Sequence, residues 1–287
     1  AGLKTQLENA DFTTPAGSAP YFAIFIWGHD NKVKNCSFNN GVHGLVSLND
    51  VGGHPLFVES SEFMNCTNGL TVEGKGVKVY NSDFDLNLGY GMVAKRLVFP
   101  GKVTYSRFDD NNYRGLRYES NSSAGLDLIS NSFTSNHMGA KFYSGGELFM
   151  SCNTITGRTP TQSPIGLEMI AGKLIMTNHT GKSGGTNVFT KNDKSILLKL
   201  RPNFYMDQGQ NQLSDISNSS NTTNWAIYGY SGHTNSPVVA HSNRWDETST
   251  NATVAVTDYG QGAFENYQVW YDLIWGGLKY TTYLNID

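Results

Sequence analysis

Between about residues 30 and 200, short apolar runs alternate with breaks rich in Asn, Gly and Ser, and the alternation has a regular interval. An aromatic residue is followed by Asn, then by Gly and an apolar residue. The units are CSFNNGVHGLVSL from Cys36, SEFMNCTNGLTV from Ser61, SDFDLNLGYGMVA from Ser82, SRFDDNNYRGLRY from Ser106 and NSFTSNHMGAKF from Asn131. Phe38, Phe63, Phe84, Phe108 and Phe133 are 25, 21, 24 and 25 residues apart. In a sixth unit Ile155 takes the aromatic slot, and its strand IGLEM begins at Ile165 after an insertion around GRTPTQSP. A seventh, weaker unit is NVFTKNDKSILL from Asn187.

Five residues before each slot stands another apolar residue: Val33, Val58, Val79, Val103, Leu128 and Met150. After each Gly the apolar positions alternate, as in Leu70/Val72, Met92/Ala94, Leu116/Tyr118, Ala140/Phe142 and Leu167/Met169. Alternation of period two is the mark of a strand with one buried face. No segment sustains a 3.6-residue period, which excludes a solenoid of helices. A repeat of 20–25 residues made of short strands cannot bury its apolar face alone, so successive units must stack. Strands one coil apart then pair in parallel, about 4.8 Å apart. The pattern therefore predicts an all-β parallel β-helix with an internal phenylalanine ladder. Asn40, Asn65, Asn87, Asn111, Asn136 and Asn192 are expected to form a turn ladder. Gly44, Gly69, Gly91, Gly115, Gly139 and Gly166 are expected to supply turn conformations forbidden to residues with a Cβ.

Composition narrows the partners. Charged residues are 16% of the 287-residue chain, below the roughly 25% of an ordinary globular protein. A net charge of −3 with no Lys/Arg-rich run argues against nucleic acid. The longest apolar stretch, YFAIFIW from Tyr21 to Trp27, has strand length, so no membrane span is expected. No signal peptide is visible, and Ala1 is read as following a cleavage or lying inside a longer protein. Cys36, Cys66 and Cys152 form no CxxC, which removes zinc and thioredoxin-type readings. They are expected to be small buried fillers, with a Cys36–Cys66 bridge left open.

The unit N-x-F-x-x-N-x-x-G-[LMA] resembles the repeat of right-handed parallel β-helix proteins of the pectate-lyase-like kind, over roughly residues 22–200. That resemblance implies the fold. It implies no single activity, because such proteins include lyases, hydrolases, epimerases, adhesins and phage spikes. The tail, SNRWDETST from Ser242 and YDLIWGGLKYTTYL from Tyr271, resembles the closing segment of bacterial surface β-helix proteins, including cargo of the type IX secretion route. Asn243, Trp245, Gly277, Tyr280 and Leu284 fit it, and Thr282 stands where proline is common. The resemblance implies one continuous domain, part of a larger secreted or cell-surface protein. Its expected divisions are a lead-in over 1–21, coils over 22–240 and an aromatic-rich cap over 241–287.

Candidate chemistry follows from stacking the strand after each Gly. One outward column reads Thr71, Val93, Arg117, Lys141, Glu168, and the next reads Glu73, Lys95, Glu119, Tyr143, Ile170. Arg117 and Lys141 fall on adjacent rungs, a like-charge contact that costs energy unless neutralised. Glu119 and Glu168 can neutralise it internally. Alternatively an anionic glycan lies across Arg117, Glu119, Lys141, Tyr143 and Glu168, with Arg117 binding a carboxylate bidentately. Arg114 falls in a variable turn slot. In a uronate lyase, Lys141 would be the base and Arg117 would neutralise the enolate. Calcium would be implied only in that case, and Asp83, Asp85, Asp109 and Asp110 sit at strand ends and turns, not in one outward stack.

A glycoside hydrolase needs two carboxyl groups facing across a cleft, whereas Asp109 and Asp110 are neighbours in a turn. The Gly-His-Gly and Arg-x-Lys of polygalacturonase-like relatives are absent, and His233 sits in a turn-like SGHT. The seven histidines show no metal-ligand spacing, although His43 and His137 fall in the same pre-glycine turn. Neither a metal site nor a cofactor is expected. Trp225, Tyr228, Tyr230, Trp245, Trp270, Tyr271 and Trp275 are read as cap core, or alternatively as rings that stack on sugars. The functional expectation is an extracellular rigid binding, adhesin or spacer module, its expected partners being polysaccharides or cell-surface glycans and other domains of its parent or the secretion machinery. The alternative is a polysaccharide-acting enzyme, first a uronate lyase and then a glycoside hydrolase.

Overall fold

The interval of the phenylalanines becomes a stack of coils in the computed structural model. It describes residues 4–15, 24–28, 30–48, 54–120, 122–158, 164–178, 181–192, 194–199, 203–206 and 209–213. Farther along it gives the backbone strands Trp225–Gly229, Val238–Val239, Arg244–Trp245, Tyr267–Trp275 and Leu278–Ile286. The described residues contain strands and no helix. Each coil contributes three strands. In the coil around Phe108 these are Gly101–Thr104, Arg107–Asp109 and Arg114–Glu119.

Like strands of successive coils pair in parallel and in the register that the repeat predicts. First strands align Val58, Val79, Val103 and Leu128. Second strands align Phe63, Phe84, Phe108 and Phe133. Third strands align Leu70, Met92, Leu116 and Ala140. At the far end Tyr267–Trp275 continues the parallel pairing from Val238–Val239 and then folds back antiparallel on Leu278–Ile286. The architecture is a parallel β-helix.

The core is the column of inward residues. Rings of Phe38, Phe63, Phe84, Phe108 and Phe133 stack at 4.7–4.9 Å between centroids, and Phe12 extends the stack at 5.1 Å from Phe38. Ile155, Phe189 and Leu213 continue the column, all buried, and backbone pairing puts Trp245 in register with Leu213. Each fully buried ring contributes about 1.5–3 kcal/mol relative to exposure. Tyr118 joins an inner pair with Phe142 at 5.3 Å and donates its hydroxyl to the Gly125 carbonyl at 2.6 Å. Burial pushes that hydroxyl's pKa well up.

The glycines have a different task from the expected one. None of Gly44, Gly69, Gly91, Gly115, Gly139 and Gly166 has positive φ. They lie within or beside the third strands, where coils approach closely. A Cβ on Gly115 would sit 2.8 Å from the Gly139 carbonyl oxygen and 2.9 Å from the Phe133 ring. The corners fall to other residues in left-handed conformation. Asn81, Tyr105, Ser130 and Cys152 have φ of 47–56° at the corner before the second strand, and Asn65, Leu86, Asp110 and Ser135 have 47–54° after it.

The asparagine ladder also needs correction. Asn40 and Asn65 are left-handed corner residues with φ of 63° and 53°. The buried ladder runs one residue later, through Cys66, Asn87, Asn111 and Asn136. Asn87 donates to the Asn111 side-chain oxygen at 2.8 Å, and Asn111 to that of Asn136 at 2.9 Å. Asn192 is buried, but its amide bonds to the Ile155 and Thr190 carbonyls. A second ladder, absent from the expectations, stands two residues before the aromatic slot. There Cys36, Ser61, Ser82 and Ser106 give way to Asn131, Asn153, Asn187 and Asn211, each linked to the next coil. Cys36 and Cys66 are buried, unbridged fillers, and burial pushes the Cys66 thiol's pKa up. Cys152 is exposed at its corner, contrary to the filler reading.

Candidate functional site

The outer side of the third strands carries the predicted columns. Thr71, Val93, Arg117, Lys141 and Glu168 are register partners from coil to coil. The next column runs Glu73, Lys95, Glu119, Tyr143, but it ends on Ala171, not Ile170, because a bulge follows Phe142. The first column is not free surface. Val93 and Glu168 are buried, and the side chains of Arg117 and Lys141 are only 26% and 17% exposed.

Arg117 has its fork filled from within. Its Nε and Nη2 donate to the two oxygens of Glu119 at 2.7 and 2.9 Å, the bidentate geometry expected for an external carboxylate. Lys141 Nζ lies 3.6 Å from the same Glu119. Burial alone would raise the Glu119 carboxyl, but the hydrogen bonds and charge of Arg117, helped by Lys141, hold it below the usual range. The hydrogen bond to Glu119 in turn raises the Arg117 pKa. Glu119 is therefore ionised and anchors both cations.

Glu168 compensates a different pair. Its carboxylate lies 3.6 Å from Arg114 Nη2 and 2.5 Å from Lys199 Nζ. Arg114 is thus no turn residue. It opens the third strand in register with Tyr90 and Met138, is 8% exposed, and packs its guanidinium 4.1 Å over the Tyr113 ring. The Tyr90 hydroxyl accepts hydrogen bonds from Arg114 Nη1 at 3.2 Å and from Arg117 Nη1 at 3.1 Å. Tyr113 is 41% exposed, meets Tyr90 edge-on at 5.2 Å and stacks with His137 at 6.3 Å. The site therefore joins Arg114, Arg117, Lys141 and Lys199 to two carboxylates, with the exposed rings of Tyr113 and Tyr143 beside them. Sequence reasoning missed Arg114, Tyr90, Tyr113 and Lys199. The available signal was the row of long side chains, Tyr90, Arg114 and Met138, directly before successive repeat glycines.

The lowered pKa of Glu119 has a testable sign. The unfolded carboxyl titrates near its ordinary value of about 4.3. Stability from Glu119 is fully present above that value and is lost as pH falls through the lower folded value. In Glu119→Gln, denaturant unfolding should show a weaker loss of stability between pH 5 and about 3 than in the parent chain. An unchanged acid slope would show that the Glu119 pairs do not couple to folding.

The acids behave differently from the sequence expectation. Asp85 and Asp109 are register partners on the outer face of the second strands, so they do stack. Arg107 spans them, at 3.2 Å from Asp83, 3.4 Å from Asp85 and 3.5 Å from Asp109. Burial is the main cause raising both the Asp85 and Asp109 carboxyls. Among the described residues no group of three or more His, Cys, Asp or Glu is placed to hold a metal ion. His43 lies in the column of Asn68 and Tyr90, whereas His137 comes one position before the corresponding Met138, so the two do not share a slot. His233, Tyr230 and the side chains of Trp225, Tyr228, Trp245, Trp270, Tyr271 and Trp275 lie outside the described residues.

Residues 18–157 match the family model of a right handed beta helix region. No curated protein and no solved structure matches the chain. The matched stretch holds the stack from Phe38 to Phe133 and three of the four clustered cations, Arg114, Arg117 and Lys141, and the same coil continues beyond it through Phe189 and Leu213. By repeat and by fold, the matched stretch and the coils that continue it form a right-handed parallel β-helix.

Proposed function

We propose that this β-helix is a rigid recognition module that binds acidic glycans through the Arg114, Arg117 and Lys141 face. The carrying observation is the pair of guanidiniums pinned to one tyrosine hydroxyl, with exposed tyrosine rings alongside. Four cationic groups against two carboxylates leave a local surplus on a chain whose net charge is −3. Rings suit the apolar faces of sugars, and the surplus suits their carboxylates. Held side chains lose little freedom on binding, which favours affinity. An extracellular or cell-surface setting fits this role. The type IX route rests on Asn243, Trp245, Gly277, Tyr280 and Leu284 alone.

A second reading is uronate lyase activity, favoured by Arg117 and Lys141 standing on adjacent rungs. Against it, Lys141 sits beside ionised Glu119, and Arg117 already holds that carboxylate. Such an arrangement clamps an anion more readily than it removes a proton.

Calorimetric titration with a hexuronate oligosaccharide and its neutral counterpart tests the proposal. The acidic ligand should bind and the neutral one should bind far more weakly, with affinity falling as salt rises. Arg117→Ala should weaken binding about tenfold, equivalent to about 1.4 kcal/mol. Equal affinity for the neutral sugar, or an unchanged Arg117→Ala variant, would overturn it.

A further inference from the structure

The first strands carry a second cationic surface whose charges are not compensated in the same way. Their inward positions are Val58, Val79 and Val103, so Phe57, Lys78, Lys102 and Asp127 form one outward column in register. Most charges on this side have partners. Lys32 lies 3.7 Å from Glu8, Lys34 lies 3.2 Å from Glu59, and Asp127 is taken by Lys182 at 2.7 Å. Lys78 instead sits 5.1 Å over the Phe57 ring. Lys102 is exposed and makes no ion pair among the described residues. Two lysines on adjacent rungs, about 4.8 Å apart, repel one another unless an anion lies between or across them. Three exposed rings surround the pair: Phe57 at 40%, Tyr80 at 49% and Tyr105 at 58%. Tyr105 is held outward at a left-handed corner, a conformation uncommon for a bulky residue.

The same column shows what this face accepts. One and two rungs beyond Asp127 it reaches Phe149 and Ile175, which point outward yet are 3% and 1% exposed. The chain's own segment around Lys182 and Gly184 lies over Phe149. Lys182 sits 5.0 Å over the Phe149 ring, and the Ser183 carbonyl accepts a hydrogen bond from Ser151. That cover places its cation on Asp127, matching opposite charge on the face. At Lys78 and Lys102 the sign is inverted, so a matching occupant is anionic. First strands are paired on both sides, which leaves no open edge for strand addition. Recognition must go through side chains, on a surface that offers rings and a rung-spaced pair of cations.

We propose that Lys78 and Lys102, with Phe57, Tyr80 and Tyr105, form a second binding face for an acidic polysaccharide lying along the coil axis. Its anionic groups meet the two lysines in succession, and its sugar rings pack on the exposed aromatics. This face does not depend on the Arg117 cluster.

The test uses the whole chain and an alginate oligosaccharide, with binding stoichiometry as the readout. Two sites are expected in the parent chain. Lys78→Ala/Lys102→Ala should weaken one of them about tenfold or more, and Tyr80→Ala/Tyr105→Ala should weaken the same site several-fold. Arg117→Ala should leave this site intact. All these side chains but Arg117 are largely exposed, so unchanged melting curves are expected. Binding unaffected by the lysine pair, or lost entirely in Arg117→Ala, would overturn the proposal. Equal binding of poly-glutamate or oligodeoxythymidine would also overturn it, by showing charge attraction without sugar recognition. Loss of the lysine site with no effect of Arg117→Ala would support this face while removing the other.

Discussion

Phe108→Ala should lower the free energy of unfolding by about 3–5 kcal/mol, the usual cost of emptying a buried aromatic site. Phe108 is fully buried and stacked on both sides, at 4.7 Å from Phe84 and 4.7 Å from Phe133. The neighbouring rings cannot close the gap, because their strands are fixed in register by the backbone pairing of three coils. In a solenoid, stability is close to a sum of coil and interface contributions. A gap in the middle therefore weakens two interfaces together. Denaturant unfolding of Phe108→Ala beside Phe12→Ala measures this, since Phe12 is only partly buried and, among the described residues, has one stacked neighbour. A smaller loss at Phe108 than at Phe12 would show that the stack does not hold the coils.

Asn153→Ala carries the second large effect, for a different physical reason. Asn153 is wholly buried. Its side-chain oxygen accepts from the Asn131 backbone N–H at 3.0 Å and from the Asn131 amide at 3.1 Å. Its amide donates to the Leu128 carbonyl and to Asn187, each at 2.8 Å. Removing the side chain strands several polar groups away from water, at about 1–3 kcal/mol for each group left unsatisfied. A loss of about 3–5 kcal/mol is expected once partial relaxation is allowed. Asn153→Ser should recover part of it, because Ser61, Ser82 and Ser106 occupy the same slot in earlier coils and accept the same backbone N–H. If Asn153→Ser proves no better than Asn153→Ala, the ladder's stabilisation does not come from that acceptor.

The register of all three strand columns was legible because an apolar residue every second position leaves only one way to face the core. The phenylalanine slot then set the coil length. The glycines were legible as positions but not as a mechanism, since a tight turn and a close approach both demand the absence of a Cβ. Only the carbonyl of Gly139 near Gly115 separates the two. The misplaced ladder left a trace in spacing. Asn40 and Asn65 follow their phenylalanines by two residues, whereas Asn87, Asn111 and Asn136 follow by three. The first offset is the left-handed corner, and the second is the buried slot.

The site was half legible for a related reason. Arg117, Glu119 and Lys141 follow from outward parity along one strand. Arg114 does not, because the chain has just rounded a corner and parity counted through the turn loses its meaning. Pairing with Tyr90 and Met138 restores it to the strand. Charge partners were also beyond sequence reach. Glu168 looked like the neutraliser of its register neighbour Lys141, yet it reaches across to Arg114 and forward to Lys199.

Recognition without turnover is the central claim, and one incubation tests it directly. The chain is mixed with a uronate polysaccharide, and absorbance of unsaturated product is followed while bound polysaccharide is measured in the same sample. Binding that Arg117→Ala weakens, with absorbance flat over time, is the expected result. Rising absorbance that Lys141→Ala abolishes would contradict it and make Lys141 the base of a lyase.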